Sequence, residues 1–332
     1  MRLRFSAFSV ALICLVTCFA APVMAEEKAA SKQAGAPEGI TAQRDILYVP
    51  GGDPAQSLDL YLPTKPSEKP LPLVVYIHGG GWQGGSKAGC PALGFVREGF
   101  AAASVEYRFS QKAIFPAQIQ DCQAAIRWLR AHSKKYNLDP DHIGVWGDSA
   151  GGHLVALLGT SGGKKAFTPV GGNEDQSDRV QAVCDWYGPA DFNTVIAQAA
   201  EDKNAKNIFK WNKGDPYSAL IGGGLGEDKA KGDAVSPVHY VTRDNPPFLI
   251  MHGTHDTLVP FAQSEELRDA LKKVGVDVLL QPFPGAGHGG PVFGSPAAQK
   301  QIKAFFEKNL KGMDVKVEPL PDSATGGPVA PK

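Results

Sequence analysis

The chain has 332 residues, 34 basic side chains balanced by 34 acidic ones, and a composition of 43% hydrophobic and 20% charged residues. That length and composition suit one large α/β domain with a substantial core. With no net formal charge, the chain offers no electrostatic footing for nucleic acid or an anionic membrane surface, and those function classes are set aside.

Arg2 and Arg4 precede a mostly apolar run from Phe5 to Ala21, and Val23-Met24-Ala25 supplies a cleavage site. This is the pattern of a secretory signal peptide over residues 1–25. The run is shorter than the roughly 20 residues that a membrane span needs, so an uncleaved anchor fits less well. The mature protein is expected to be secreted or periplasmic, with no membrane association after cleavage. Leu15-Val16-Thr17-Cys18 loosely resembles a lipoprotein site, but it lies inside the apolar run and has Thr where a smaller residue is expected. Cys90, Cys122 and Cys184 remain after cleavage. They leave room for one internal disulfide or for three buried thiols, and none has the spacing of a metal site.

Residues 26–42 carry Ala, Lys, Glu, Gly and Pro without periodicity and read as a linker. A domain is predicted over 43–311. It begins with an antiparallel hairpin, Asp45 to Val49 and Ser57 to Leu62, around the turn Pro50-Gly51-Gly52-Asp53-Pro54. Continuous apolar runs follow at Leu73 to Ile77 and Phe100 to Val105, as expected of strands buried on both faces. Phe115-Pro116 opens a helix through Ile119, Ala125 and Leu129 that ends near Tyr136-Asn137. Further strands are read at Ile143 to Trp146, Val180 to Trp186, Pro247 to Met251 and Val276 to Gln281. Helices are read from Leu154 to Leu158, from Ala262 to Val274 and, after Ser295-Pro296, from Ala298 to Leu310. Strands alternating with helices predict an α/β fold, with a mostly parallel central sheet and helices on both faces. Residues from about Ser161 to Asn245 are richer in Gly, Asn, Asp and Lys than their surroundings, and the part from Asp191 to Asp233 reads as a small cap inserted over the cleft. Residues 312–332 read as a disordered tail.

The chemistry centres on Gly147-Asp148-Ser149-Ala150-Gly151. An apolar strand precedes this G-x-S-x-G and a helix follows it, which is the strand–turn–helix setting of a nucleophile elbow. A side chain at Gly147 or Gly151 would collide with the neighbouring strand and helix, and the helix N-terminus aims free N–H groups at the same place. A serine hydroxyl needs a base, and the base needs a carboxylate to hold its tautomer. Asp256 sits in the loop beyond the strand Phe248 to Met251, where catalytic groups gather on such sheets. Asp244 is its rival but precedes the strand. His288 lies in the glycine-rich Pro284-Gly285-Ala286-Gly287-His288-Gly289-Gly290, after the last strand. The order Ser149, Asp256, His288 is the one this sheet requires. The other histidines fit less well: His132 and His142 flank a surface loop, His78 and His252 end strands, His153 packs inward, and His239 and His255 read as surface residues.

Ile77-His78-Gly79-Gly80-Gly81-Trp82 follows the first long parallel strand. Consecutive glycines let backbone N–H groups approach a developing oxyanion. The expected donors are Gly80, Gly81 and Ala150. The loop lacks the lysine and spacing of a P-loop and the G-x-G-x-x-G of a nucleotide site.

Taken together, His78 to Trp82, Gly147 to Gly152, Asp256 and His288, with Val105-Glu106-Tyr107-Arg108 and Phe115-Pro116 between them, resemble the α/β-hydrolase superfamily. The resemblance is to the hormone-sensitive-lipase-like esterases and the related secreted acetyl and feruloyl esterases, and it spans residues 43 to 310. It implies a serine carboxylesterase acting through an acyl-enzyme on a small-molecule or saccharide ester, without metal or organic cofactor. Trp82 and His252-Gly253-Thr254-His255-Asp256 depart from the lipase branch, towards carbohydrate-esterase and formamidase-like members. Trp186 and Tyr187 either line the acyl pocket or pack in the core. The alternatives are a prolyl-oligopeptidase-like peptidase, for which no large extra domain fits here, and a non-catalytic binding module, which would typically lack one of the three side chains.

Overall fold

A computed structural model describes residues 36–203 and 214–325. The leader read at 1–25, the start of the linker and residues 326–332 lie outside the described residues, as do residues 204–213 of the insertion. Eight strands form one sheet: β1 (Ile40–Leu47), β2 (Ser57–Pro63), β3 (Leu71–Ile77), β4 (Ala101–Val105), β5 (Leu138–Asp148), β6 (Ala182–Trp186), β7 (Phe248–Gly253) and β8 (Val278–Phe283). Their order is β1-β2-β4-β3-β5-β6-β7-β8. β1 pairs antiparallel with β2, and β2 with β4; all other pairings are parallel. The α/β reading of the sequence therefore holds.

β1 starts at Ile40, inside the stretch expected to be linker, and Ile40 is buried opposite Pro63. A register shift between Gln43 and Ile46, with Asp45 at φ +55°, breaks the alternation that would have marked the strand in sequence.

The period-2 geometry of strands divides the core. Leu73, Val75 and Ile77 of β3, Ile143 and Val145 of β5, and Phe248 and Ile250 of β7 face one layer; Val74, Trp146, Leu249 and Met251 face the other. α1 (Leu93–Val96) lies between β3 and β4, and α2 (Ala117–Ala131) and α3 (Ser133–Tyr136) between β4 and β5. The single helix expected to reach Tyr136 is thus two, interrupted at His132 and closed by Asn137 in the left-handed region. α4 (Ala150–Ser161) follows β5. The first layer takes Ile119 and Leu129 of α2 and Leu154, Leu157 and Leu158 of α4.

Between β6 and β7 the described residues form α5 (Val195–Glu201), α6 (Pro216–Ile221) and α7 (Lys229–Val235), in the region read as a cap. Local chemistry starts the last two. Asp215 accepts from the Ser218 amide at 3.0 Å ahead of Pro216, and Asp228 accepts from the Lys231 amide at 3.2 Å. α8 (Phe261–Lys273) packs Leu267 and Leu271 into the first layer, whereas α9 (Pro296–Lys311) packs Ile302, Phe305 and Phe306 into the second. Ser295 caps α9 and Gly312 ends it in the left-handed region.

From Met313 to Thr325 the chain is placed rather than without order. Val317 and Leu320 pack against the second layer, the Leu320 amide donates to Gln281 Oε1 at 2.7 Å, and α10 (Asp322–Thr325) follows. The Pro-rich composition concealed these two apolar contacts, and Gln301 also donates to the Glu318 carbonyl at 2.7 Å. Cys90, Cys122 and Cys184 are free and buried, which selects the thiol alternative, and burial pushes the Cys90 thiol up to about 12.

Candidate active site

The sheet order reverses between β3 and β5: from β3 the chain moves outward to β4, then returns to β5 on the other side. Loops at the carboxyl ends of strands beside such a reversal diverge and leave a crevice. The loop after β3 and the elbow after β5 flank it.

Ser149 has φ +53° and ψ −118°, outside the regions open to an unstrained side chain. The turn is held by neighbours on both sides. The Ser149 amide donates to the Trp186 carbonyl at 2.8 Å, and the Ser149 carbonyl accepts from the His153 amide at 3.0 Å. A Cβ on Gly151 would run into the Ile77 carbonyl oxygen, so helix α4 can approach β3 this closely only with glycine there. Asp148 fastens the elbow to the β3 loop: one carboxylate oxygen accepts from the Tyr76 hydroxyl and, at 3.1 Å, from the Gly79 amide.

The three candidate side chains meet. His288 Nε2 lies 2.8 Å from Ser149 Oγ, and His288 Nδ1 lies 2.7 Å from Asp256 Oδ2. Since a carboxylate only accepts, Nδ1 carries the proton and Nε2 is left to accept from the serine hydroxyl. Asp256 is buried and fully engaged. Its Oδ1 accepts from the amides of Leu258 at 2.8 Å and Val259 at 2.9 Å. Burial by itself would raise the Asp256 carboxyl, but hydrogen bonds from His252 and His288 outweigh it and hold the group well below the usual carboxylate range.

The sequence marks His252 only as a strand end. It is wholly buried and donates from Nε2 to Asp256 Oδ2 at 3.2 Å and to the Val259 carbonyl at 3.0 Å, while Nδ1 faces Ser264 Oγ at 2.7 Å. The four-residue spacing from His252 to Asp256 was the available signal. His78 is turned away from the serine. It bonds Glu106 at 2.9 Å and stacks on Tyr107, so the Val105-Glu106-Tyr107 stretch braces the glycine loop from behind.

Gly80 and Gly81 adopt φ of +113° and +61°. Among the described residues, no protein acceptor takes the amides of Gly80, Gly81 or Ala150. Gly80 and Gly81 line a cavity of about 420 Å³ together with Ser149 and His288. Its remaining walls include Trp82, Tyr187, Pro216, Tyr217 and Leu258. Tyr187 therefore belongs to the pocket, its ring 4.6 Å from that of His288. Trp186 points the other way, into the second layer against Trp146 and Phe293. Pro216 and Tyr217 come from α6 of the insertion and carry no local sequence signature of a site.

Beneath the elbow lies a carboxyl with no ion pair among the described residues. Asp185 is wholly buried; Oδ1 accepts from the Gly188 amide at 2.9 Å, and Oδ2 has no hydrogen-bond partner among the described residues. Burial raises it to about 7, only partly offset by the Gly188 bond. The folded protein thus keeps a proton that an unfolded chain loses near 3.8, and stability falls as pH rises from there towards 7. His153 slopes the opposite way. Burial lowers it from 6.5 to about 4, so acid favours the unfolded chain across that window. Asp185→Asn is expected to remove the first slope and leave the second, giving a protein whose stability climbs with pH between about 4 and 6.5 and exceeds wild type at pH 8 by about 2–4 kcal/mol. Urea unfolding at a series of pH values measures it. Wild-type and variant curves that run parallel would contradict a protonated Asp185.

The BD-FAE family model matches residues 58–271, and that of TAP-like protein matches 229–315. Esterase LipC of Mycobacterium tuberculosis (strain ATCC 25618 / H37Rv) is 32% identical over 265 residues, covering 74% of this chain and 59% of LipC. The chain spans between 51% and 59% of the length of the first curated relatives it matches. Among solved structures, a truncated carbohydrate esterase from gut microbiota is 30% identical with a TM-score of 0.72, covering 82% of this chain and 96% of that one. An acetyl ester-xyloside bifunctional hydrolase from Caldicellulosiruptor lactoaceticus is also 30% identical, with a TM-score of 0.58, covering 80% and 90%.

Proposed function

We propose, since this chain belongs to the BD-FAE family of α/β-hydrolases, that it is a secreted serine carboxylesterase hydrolysing short-chain acyl or hydroxycinnamoyl esters of plant saccharides. The observation that carries the proposal is the continuous line from Ser149 Oγ through His288 to Asp256, with bonds of 2.8 and 2.7 Å, beside three amides that no acceptor among the described residues takes. A carbohydrate esterase and an acetyl ester-xyloside hydrolase among the structural neighbours support a saccharide ester, and the leader-like residues 1–25 support export.

In this mechanism His288 Nε2 takes the Ser149 proton as Oγ attacks the ester carbonyl. The amides of Gly80, Gly81 and Ala150 receive the oxyanion, whose charge the N-terminus of α4 also favours. The tetrahedral intermediate collapses as His288 returns the proton to the departing alcohol, leaving Ser149 acylated. Water, deprotonated by the same nitrogen, then releases the acid. Asp256 keeps Nδ1 protonated and stabilises the imidazolium formed in each half-reaction. The walls set the substrate. Trp82, Tyr217 and Pro216 crowd the space beyond the glycine loop, and a cavity of about 420 Å³ sits near the small end of ligand sites.

The test is a series of p-nitrophenyl esters from acetate to decanoate, run beside acetylated and feruloylated saccharides and a prolyl peptide p-nitroanilide. Across the alkyl series kcat/KM is expected to peak between acetate and butyrate and to fall by about 10-fold or more at decanoate, as surplus methylenes find no room. The exported protein is expected to begin at Glu26. Turnover confined to long-chain esters, or to the anilide, would refute the proposal.

A further inference from the structure

We propose that His153 is a positioning residue of the oxyanion hole, tethering both the Gly80–Trp82 loop and the cap to the helix that carries Ser149. The inference rests on the esterase mechanism above. His153 lies one helical turn beyond Ser149, and its side chain is fully buried. Both ring nitrogens are used. Trp82 Nε1 donates to Nδ1 at 3.2 Å. An indole N–H can only donate, so Nδ1 must accept and Nε2 must carry the proton, which it gives to the Val235 carbonyl at 2.7 Å. One tautomer of one ring therefore joins three chain segments.

Each joined segment bears on the hole. Gly80, Gly81 and Trp82 are three consecutive residues with positive φ, at +113°, +61° and +56°. No strand ladder fixes such a stretch; backbone bonds hold its ends, from the Gly79 amide to Asp148 and from the Ser110 amide to the Trp82 carbonyl at 2.8 Å, and the buried indole adds a side-chain anchor. The ring meets His153 edge-on at 5.2 Å and Tyr217 at 5.5 Å. Val235 is the last residue of α7, and α6 of the same insertion sets Pro216 against Gly81, where a Cβ would come within 3.2 Å of it. The cap thus rests on the donor loop, and both are tied to the same imidazole. Burial lowers His153 to about 4, so it stays neutral where esterases work; a proton on Nδ1 would oppose the indole N–H.

Two isosteres separate tethering from packing. His153→Gln retains a donor able to reach Val235 but loses the acceptor facing Trp82. His153→Asn retains an acceptor near the Nδ1 position and loses the link to Val235. Trp82→Phe keeps a buried ring and deletes the donor, so the test survives if a His153 variant fails to fold. In H153Q and W82F, kcat for p-nitrophenyl acetate is expected to fall about 10–100-fold with KM within about threefold, because misplaced donors weaken the transition state rather than the bound ester. Affinity for a phenylboronic acid, whose tetrahedral adduct occupies the hole, is expected to fall in parallel, and H153N is expected to recover most of kcat. H153Q and W82F within about twofold of wild type, or losing kcat with boronate affinity intact, would overturn the tether. So would H153N falling as far as H153Q while W82F is unaffected. Failure of the esterase mechanism itself looks different: wild type would then show neither ester turnover nor labelling of Ser149 by a fluorophosphonate.

Discussion

Ser149→Ala is expected to lower kcat for p-nitrophenyl acetate by on the order of 10⁴-fold or more while leaving the protein folded. The Oγ atom bonds only His288 among the described residues. The bonds that hold the strained turn are the backbone ones to Trp186 and from His153 and those to the Asp148 carboxylate, and all survive the truncation. Alanine at φ +53° is no worse placed than serine, since the strain belongs to the backbone and is present in both proteins. Activity and thermal unfolding therefore separate: the melting temperature stays within a few degrees while turnover and fluorophosphonate labelling disappear. Wild-type turnover in the variant would remove Ser149 from the mechanism.

Asp256→Asn is expected to reduce kcat by about 10⁴-fold with little change in KM. The carboxylate accepts four hydrogen bonds, two per oxygen, from two amides and two imidazoles. An amide has only one acceptor atom. If its oxygen stays on the amides of Leu258 and Val259, its NH₂ faces His288 Nδ1 and forces the proton to Nε2, where it can no longer accept from Ser149. If the amide flips, the NH₂ confronts two backbone N–H groups instead. Either arrangement leaves buried donors opposed, and a loss of about 1–3 kcal/mol in stability accompanies the loss of rate. The pH dependence supplies a second readout. A carboxyl held below 3.8 contributes stability that is fully present above that value and fades as pH falls below it. The variant lacks that acid slope. Its urea midpoint should therefore approach wild type at low pH, whereas a gap independent of pH would mean that Asp256 is not ionised in the fold.

Sequence made the line of chemistry legible because each part is encoded locally. Gly147 to Gly151 can only be a tight reversal after an apolar run, and Gly79 to Gly81 can only be a loop that brings backbone close. Asp256 and His288 stand directly after strands whose apolar runs mark their own ends. Legibility failed where a feature depends on distant packing or an interrupted period. The bulge near Asp45 hid the start of β1. Asp139 and Pro140 broke the apolar run, so β5 appeared to begin at Ile143 rather than Leu138. Pro216 and Tyr217 reach the pocket only through the fold of the insertion, and Val317 and Leu320 dock a segment whose composition suggested a free tail. His252 and His153 were hidden differently. Each is a lone histidine in an apolar setting, and only the partners of its two nitrogens distinguish it from filler.

The insertion leaves the sheet after β6 and returns at β7, two strands that lie side by side. Its length is therefore not set by the span it must bridge, and no pairing between strands depends on what it contains. The part of the pocket wall built by Pro216 and Tyr217 can be lengthened, shortened or exchanged in evolution while Ser149, Asp256 and His288 keep their register, provided the tie from Val235 to His153 is kept. The residues that shape the pocket mouth can thus change faster than those that carry the proton relay.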